Sequence, residues 1–231
     1  AQRDAAWGEV AKRLAHEIRN PLTPIQLSAE RLQMKLADKL QASDADMLQR
    51  STDTIVKQVA ALKRMVDAFR DYARAPSAKL IQLDVNDLLR DVLALYEGYI
   101  DVQLALHPQP LFILGDATLL RQVLHNLLSN AQDAMLDVPQ PMLHISTNES
   151  QNACIIIFND NGPGFNPDIL PRAFEPYVTN KTKGTGLGLA VVKKILEEHQ
   201  GNISVGNRSE GGAQVVLTLP LLETPCEVAT S

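Results

Sequence analysis

The sequence predicts an α+β protein in which an N-terminal antiparallel helical hairpin precedes an α/β sandwich with a mostly antiparallel sheet. Three observations near Pro76 predict this division. Of the 12 glycines only Gly8 lies before Pro76, and scarce glycine permits long helices. Residues 1–78 carry 13 Lys and Arg against 10 Asp and Glu, whereas the remainder carries 9 against 17. Helical apolar periodicity also gives way to short mixed runs. We therefore expect a helical domain over 1–75, a second domain over 80–222 and a loose tail over 223–231.

The overall composition excludes several classes of protein. Apolar residues make up 45% and charged residues 21%, as in soluble globular chains. No uncharged apolar run approaches the ~18 residues that a membrane-spanning helix needs. The net charge of −5 argues against nucleic acid as a partner. Cys154 and Cys226 lie far apart, so we expect reduced thiols and a cytoplasmic setting. Because the chain opens without an initiator Met, we expect a piece of a longer protein.

Two long helices are expected in the first domain because apolar residues recur at steps of three and four. A polar stretch at Asp38–Asp46 separates them and offers Ser43 or Asp44 as an N-cap. Two helices alone cannot cover such a stripe. The pattern leaves two arrangements open: a four-helix bundle in a homodimer, or a hairpin packed on its own second domain. The stripe comprises Trp7, Ala11, Leu14, Ile18, Leu22, Ile25, Ala29, Leu32 and Leu36, then Leu48, Ile55, Val59, Leu62, Val66 and Phe69.

The second domain follows a linker at Ala75–Ala78 and is expected to mix short strands with three helices. Asp84 or Asn86 is placed to cap the first helix, and Asp116 to cap the second. The predicted helices are Val85–Tyr96, 117 to about 135, and Leu187–His199. The predicted strands are Leu80–Leu83, Val102–Leu106, Leu111–Leu114, Leu143–Thr147, Ala153–Asn159, Ile203–Asn207 and Ala213–Leu219.

The helix after Asp116 carries Asn126 and Asn130 four residues apart on one face, with Asp133 on the same polar edge. Amide carbonyls are hard oxygen ligands of the kind that Mg²⁺ accepts together with water and nucleotide phosphates. The alternative is a pair of solvated asparagines on an amphipathic helix, and this pattern alone favours that alternative.

A second motif, Asp160-Asn-Gly162-Pro-Gly164, directly follows an apolar strand. A carboxylate at the end of a buried strand is costly unless it has a partner, and an adenine amino group is one suitable partner. The glycines would let a base approach the backbone closely. The alternative is an ordinary turn, which the motif alone favours.

A third motif, Gly184-Thr185-Gly186-Leu187-Gly188, precedes a predicted helix, with Lys181 and Lys183 just upstream. Glycines before a helix N-terminus expose backbone N–H groups that can bind phosphate, and lysines add positive charge. A Rossmann turn is the competing interpretation, but no buried strand precedes these glycines. A further pair, Gly211-Gly212, indicates a hairpin turn before the last strand.

The order and spacing of these motifs, together with Phe174-Glu-Pro-Tyr177, resemble the N, G1, F, G2 and G3 boxes of one ATP-binding fold. Gyrase, heat-shock chaperones, histidine kinases and MutL share this Bergerat fold, and the resemblance spans residues 80–220. It implies a nucleotide held between the asparagine helix and a mobile lid at 166–183. It also implies that Asp160 binds adenine beside Gly162 and Gly164, that Asn126 lines the phosphate site and that Asn130 ligates Mg²⁺. The phosphates of ATP would be held by Gly184, Thr185, Gly186, Leu187 and Gly188 with Lys181 and Lys183.

The first helix contains His16-Glu17-Ile-Arg-Asn20-Pro21. His16 lies two positions from Leu14 and from Ile18 of the apolar stripe, so it is expected to point outward. A single exposed histidine is usually a surface residue. Here Pro21 and Pro24 remove two helical hydrogen bonds one turn later, which should kink the helix and make it locally deformable.

His16–Pro21 resembles the H box of sensor histidine kinases, and the wider run from Gly8 to Leu32 resembles nitrogen-regulation kinases of the NtrY type. The resemblance implies that His16 attacks the γ-phosphate of Mg·ATP and passes the phosphoryl group to an aspartate of a response regulator. Glu17 would orient His16 or take its proton. Asn20 would hold a water for the reverse phosphatase reaction. It also implies a homodimer and the cytoplasmic portion of an inner-membrane-anchored bacterial kinase, whose sensory segment lies upstream.

Two other functions compete with a histidine kinase. The chain could be a dimeric signalling scaffold with a degenerate nucleotide site, but Asn126, Asn130, Asp160 and the G2 glycines are all intact. A gyrase-like or chaperone-like ATPase needs further domains and does not explain His16.

Overall fold

The computed structural model describes residues 2–73, 78–96, 98, 101–179 and 184–222. It divides into two compact units, one containing the helical hairpin and the other containing the sheet. The predicted α+β class is therefore confirmed. Most of the predicted linker, at 75–77, and the predicted tail, at 223–231, lie outside the described residues.

The hairpin consists of α1 (Gln2–Leu36) and α2 (Ala42–Ala73), joined through a single 3-10 turn at Ala37–Lys39. Helix α1 continues through both Pro21 and Pro24 as one element. Polar contacts link the two helices: the Arg19 guanidinium pairs with Asp67, and Lys63 Nζ donates to Gln26 Oε1 at 2.8 Å. Helix α2 begins at Ala42, and the Gln41 carbonyl accepts from its first turn. The predicted N-caps Ser43 and Asp44 are therefore wrong by about two residues, and both lie inside the first turn.

The predicted apolar stripe of the hairpin divides into a buried part and an exposed part. The residues buried between the helices recur every seven positions, at Ala15, Leu22 and Ala29 in α1 and at Thr52, Val59, Val66 and Ala73 in α2. Leu14 and Ile18 are both more than 40% exposed, as expected of a stripe that two helices alone cannot cover. The other exposed members of the stripe are Ile25, Leu32, Ile55 and Leu62.

The second unit is a five-stranded sheet with helices on one face, plus a separate two-stranded sheet. The five strands lie in the order β2-β4-β5-β7-β6, and all pairs are antiparallel except β2–β4. Strands β1 and β3 form the small antiparallel sheet. The strands are β1 (Ile81–Asp84), β2 (Asp101–Ala105), β3 (Phe112–Gly115), β4 (Met142–Ser150), β5 (Ala153–Asp160), β6 (Asn202–Asn207) and β7 (Ala213–Pro220). The helices are α3 (Val85–Leu93), extended by a 3-10 turn at Ala94–Tyr96, α4 (Ala117–Ala134) and α5 (Gly188–Glu198).

Side-chain caps fix where two of these helices begin. Asp84 accepts from the Asn86 amide at 3.0 Å, and Asp116 accepts from Thr118 and Leu119 at 2.9 and 3.2 Å. Both predicted caps are therefore confirmed. Helices α3 and α4 pack on the sheet face that carries Ile156, Leu217 and Leu219, and apolar side chains of all three elements line one small cavity there.

A buried polar network closes the loop between β2 and β3. Asn86 is 2% exposed, and its Nδ2 donates to the carbonyls of His107 and Gln109 at 3.1 and 3.2 Å. The Thr147 hydroxyl donates to Asn86 Oδ1 and accepts from the His107 amide, both at 2.8 Å. Every polar atom of the Asn86 carboxamide is thus used inside the unit.

Candidate functional site

Asp160 ends β5 with its side chain on the helix-covered face of the sheet, because buried residues alternate along this strand up to Asp160. The residue is 8% exposed. Its Oδ1 accepts the N–H groups of Gly162 and Ala213, each at 2.9 Å. No described residue donates to Oδ2. Two backbone amides therefore hold a carboxylate in one orientation with its second oxygen available.

Gly162 brings this carboxylate close to the C-terminal end of α4. A Cβ at position 162 would lie 3.1 Å from the Ala134 carbonyl oxygen and 3.2 Å from Asp160 Oδ1. The next connection is made by Asn161, whose Nδ2 donates to the Gln140 carbonyl at 2.8 Å and whose Oδ1 accepts from the Met142 amide at 2.9 Å. The loop after α4 is therefore tied to the loop after β5.

Asn126 and Asn130 are both half-buried on α4, and the exposed Asp133 follows them. Gly188 begins α5, and a Cβ there would lie 3.7 Å from Asn130 Nδ2. The N-terminal end of α5 thus lies beside Asn130. Because the first amides of a helix have no partner within the helix, this end can bind an anion.

The segment before α5 contains the remaining glycines of the third motif. Gly186 has φ +67°, a left-handed conformation that favours glycine. The Leu187 amide donates weakly to Thr185 Oγ1, at 3.4 Å. The predicted phosphate-binding lysines, Lys181 and Lys183, lie outside the described residues, as does the end of the predicted lid at 180–183.

The described part of the predicted lid contains one 3-10 turn at Leu170–Arg172. Asn166 begins this segment, and its Oδ1 accepts from the Asp168 amide at 2.8 Å. Phe174 contacts α5, since Lys193 Nζ lies 5.6 Å from the centroid of its ring. Tyr177 is 59% exposed.

His199 joins the two helices that flank the site. The ring is 2% exposed, and its Nδ1 donates to the Ile195 carbonyl at 2.7 Å. Its Nε2 accepts from the Asp116 amide at 2.9 Å. An acceptor at Nε2 requires a neutral ring, so one defined tautomer connects the end of α5 with the start of α4.

Three residues of the β6–β7 hairpin contact the Asp160 loop, and sequence reasoning singled out Gly212 but missed Asn207 and Arg208. Asn207 bonds both backbone groups of Phe165. The Arg208 guanidinium donates to the Asp160 carbonyl at 3.3 Å. A Cβ at Gly212 would lie 1.9 Å from that carbonyl oxygen, so only glycine allows this approach. The Gly211-Gly212 pair predicted a turn but not its close approach to the Asp160 carbonyl. Nothing in the sequence indicated a role for Asn207.

The predicted catalytic residues of the other unit all lie on the exposed surface of α1. His16, Glu17 and Asn20 are exposed, as the spacing from the stripe predicted for His16. Glu17 Oε1 accepts from Arg13 Nε at 3.0 Å, one helical turn away, so its carboxylate is engaged by arginine.

Other chemistry is limited within the residues that the structure describes. Burial raises the pKa of the Cys154 thiol to about 12, with smaller contributions from Asp84 and Glu149, so this thiol is not a nucleophile at neutral pH. No cluster of three or more His, Cys, Asp or Glu in this part of the chain could hold a metal ion. None of the described helices is long and apolar enough to cross a membrane.

Two family models match the chain. Residues 6–78 match the His Kinase A (phospho-acceptor) domain. Residues 115–223 match the histidine kinase-, DNA gyrase B- and HSP90-like ATPase domain. The two matches follow each other in the order that the motifs predicted.

Curated relatives and solved structures agree with these matches. The nitrogen regulation protein NtrY of Azorhizobium caulinodans is 42% identical over 95% of this chain. The crystal structure of full-length ShkA in complex with AMPPNP is similar over 94% of this chain and 46% of that one, with 27% identity and a TM-score of 0.71. Histidine kinase ThkA in complex with response regulator protein TrrA is similar over 96% of this chain and 64% of that one, with 25% identity and a TM-score of 0.66.

The chain spans only 29% of the length of the Azorhizobium relative and 38% of a similar protein from Rickettsia bellii. Its two domains, their order and the NtrY-type relatives nevertheless agree. The chain therefore belongs to the sensor histidine kinases, with a phospho-acceptor hairpin followed by a Bergerat-type ATPase domain.

Proposed function

We propose that this chain is an ATP-dependent protein histidine kinase that phosphorylates itself on His16 and passes the phosphoryl group to an aspartate of a response regulator. The observation that carries this proposal is the buried and oriented carboxylate of Asp160. Asp160 is buried and oriented by two amides, and the G1 loop adjoins the end of α4. A degenerate site would have no reason to retain a buried carboxylate.

Three groups of residues bind the nucleotide. Asp160 Oδ2 accepts a hydrogen bond from the amino group of adenine, while Gly162 and Gly164 let the base approach the backbone. Asn126 and the backbone from Gly184 to Gly188 bind the phosphates, aided by the free amides at the start of α5. Lys181 and Lys183 add positive charge to the same phosphates.

Mg²⁺ fits the chemistry of this donor set. Asn130 supplies a neutral amide oxygen, and Gly188 places the phosphate-binding end of α5 beside it. An ion held by one protein oxygen takes its other ligands from water and phosphate, which agrees with the lack of an acidic cluster among the described residues. When bound, Mg²⁺ neutralises charge on the transferring phosphate.

His16 supplies the nucleophile. A neutral ring nitrogen forms a bond to the γ-phosphorus as the bond to the bridging oxygen breaks, and ADP leaves. The proton of the ring passes to Glu17 or to water. The P–N bond of the product is labile, so the phosphoryl group moves on to a receiver carboxylate. Asn20 lies one turn from His16. It positions water for the phosphatase reaction, in which that aspartyl phosphate is hydrolysed and inorganic phosphate is released.

The exposed stripe supports a homodimer. Ile18, Ile25 and Leu32 lie seven residues apart on α1 and are each at least 44% exposed. Apolar residues at this spacing form the seam between helices of a bundle. A second copy would cover the stripe in a four-helix bundle and leave His16 at the surface, where a response regulator could reach it.

Incubation with γ-labelled ATP and Mg²⁺ tests the function. We expect acid-labile label in the wild type, and none in His16→Gln, which should still bind ADP. Asp160→Asn should lose both label and nucleotide, because an amide nitrogen replaces the acceptor for adenine. Asp87→Asn, the same chemical change at an exposed residue of α3 outside the proposed site, is the matched control. If the wild type binds ADP normally but takes up no label from ATP, the protein is a nucleotide-dependent scaffold instead.

A further inference from the structure

The β6–β7 hairpin holds the loop after Asp160 through a side chain that is not part of any nucleotide-binding motif. Asn207 is the last residue of β6. Its Oδ1 accepts from the Phe165 amide at 2.6 Å, and its Nδ2 donates to the Phe165 carbonyl at 2.8 Å. The carboxamide thus pairs with both backbone groups of one residue, as a neighbouring strand would.

The loop is shaped to accept this side chain. Gly164 has φ +77°, and a Cβ at that position would lie 2.7 Å from Asn207 Oδ1 and 3.3 Å from the Gly212 carbonyl oxygen. Any other residue at position 164 would therefore be strained and would also displace Asn207. The glycine and the asparagine form one contact.

The contact lies at the far end of the loop from Asp160. At the near end, Asp160 is fixed by the amides of Gly162 and Ala213. At the far end, Phe165 is fixed by Asn207, one residue before the proposed lid begins at Asn166. Only 161–164 lie between the two attachments. The position of the adenine-binding glycines and the origin of the lid are therefore set by the same hairpin.

We propose that Asn207 is a positioning residue of the nucleotide site, which fixes the Gly164–Phe165 end of the adenine loop and the root of the lid without touching the nucleotide. The inference rests on the proposed ATP-binding function. A loosened loop has to be ordered again when nucleotide binds, so affinity falls and release accelerates. The chemical step on His16 is not affected directly.

Asn207→Asp is the sharpest variant because it keeps the shape and the Oδ1 acceptor but sets a carboxylate oxygen against the Phe165 carbonyl. Asn202→Asp is the matched control: it lies on the same strand and changes charge equally. Asn202 Oδ1 accepts from Ile203, and its amide nitrogen donates to no described residue. Asn207→Thr removes both bonds without adding charge and replaces the first variant if that fails to fold.

Calorimetric titration of the full chain with Mg·ADP, and stopped-flow release of a fluorescent ADP analogue, test the proposal. We expect Asn207→Asp to bind ADP about five- to tenfold more weakly, mainly through faster release, and Asn202→Asp to match the wild type. Unchanged affinity in Asn207→Asp, or a lower melting temperature with unchanged affinity, overturns the proposal. If the wild type itself binds no ADP, the proposed function fails, and this inference fails with it.

Discussion

The two units of the molecule place their key side chains in opposite environments. In the hairpin, His16 is exposed, while the interior between the helices holds mainly small or medium side chains such as Ala15, Leu22 and Ala29. In the ATPase unit, Asp160 is 8% exposed, and every second residue of β5 and of the first part of β4 is buried.

This difference indicates how each unit obtains its stability. The ATPase unit buries large side chains within itself, including Leu143, Ile145 and Leu217. The hairpin leaves Ile25 and Leu32 about half exposed, so much of the apolar surface that could stabilise it is still in contact with water. We infer that the stability of the hairpin depends on assembly with a second copy and that the stability of the ATPase unit does not.

The largest effect is expected from a charge placed in the exposed stripe. Ile25→Glu buries two carboxylates per proposed dimer, so we expect dimer dissociation constants to rise by at least about a hundredfold. Analytical ultracentrifugation measures this change. Leu27→Glu is the matched control, since Leu27 is similarly exposed but lies about 200° around the helix. If both variants weaken the dimer equally, the stripe is not the dimer interface. ADP binding should persist in both variants.

A smaller effect is expected when the buried polar network of the ATPase unit is cut. Asn86→Ala leaves the His107 and Gln109 carbonyls and the Thr147 hydroxyl without their partner. The free energy of unfolding of this unit should fall by about 2–3 kcal/mol. Urea denaturation measures it, with the exposed Asn148→Ala as control. A matching loss of dimer stability would mean that the two units do not fold independently.

The cap of α4 should contribute less and should depend on acid. Burial alone would raise the pKa of Asp116, but hydrogen bonds from the amides of Lys79, Leu119 and Thr118 outweigh it and lower that pKa below its usual value. A carboxyl group whose pKa is lower in the folded state stabilises the fold at pH values above its pKa in the unfolded state. This contribution is lost as the pH falls through its pKa in the folded state. Asp116→Ala should cost about 1 kcal/mol at pH 7 and less in acid. Thermal melts at several pH values test this, and a cost that does not shrink in acid would contradict it. The exposed Asp137→Ala is the control.

The smallest effect concerns Glu198, at the end of α5. Burial raises the pKa of Glu198, which Lys194 partly offsets, and Oε2 has no hydrogen-bond partner. A carboxyl group whose pKa is higher in the folded state destabilises the fold as the pH rises from its pKa in the unfolded state to its pKa in the folded state. Glu198→Gln should therefore stabilise the unit at pH 7 by less than about 1 kcal/mol and have little effect near pH 4. Melting temperatures at both pH values check this, with Glu197→Gln as the exposed control. A loss of stability at pH 7 would show that the ionised carboxylate is favoured.

Much of the fold could be predicted because local chemistry defines it. Asp84 and Asp116 cap helices in the structure as their positions predicted, and the apolar run at 153–158 located β5. Helix periodicity also placed His16 outward. Each of these features depends on residues within a few positions of one another.

The errors and omissions depend on distant pairings. Leu14 and Ile18 belong to an apolar stripe, but periodicity does not show whether a helix of the same chain covers it. Gln41 has no sequence signal of a cap, so the start of α2 was misplaced. Asn207 acts on Phe165, 42 residues earlier in the chain. Such a contact becomes visible only when β6 lies beside the end of β5 through β7.

The bond from the Ala213 amide to Asp160 also constrains the order of events during synthesis. The carboxylate of Asp160, which we propose binds adenine, is made 53 residues before one of the two amides that hold it. A nascent chain that has not yet reached Ala213 contains α4 and Gly184, Gly186 and Gly188, yet its Asp160 can accept only the Gly162 amide. The proposed adenine contact is therefore complete only after β7 has been synthesised, and a ribosome-bound fragment that ends before Ala213 lacks one of the two bonds that orient Asp160.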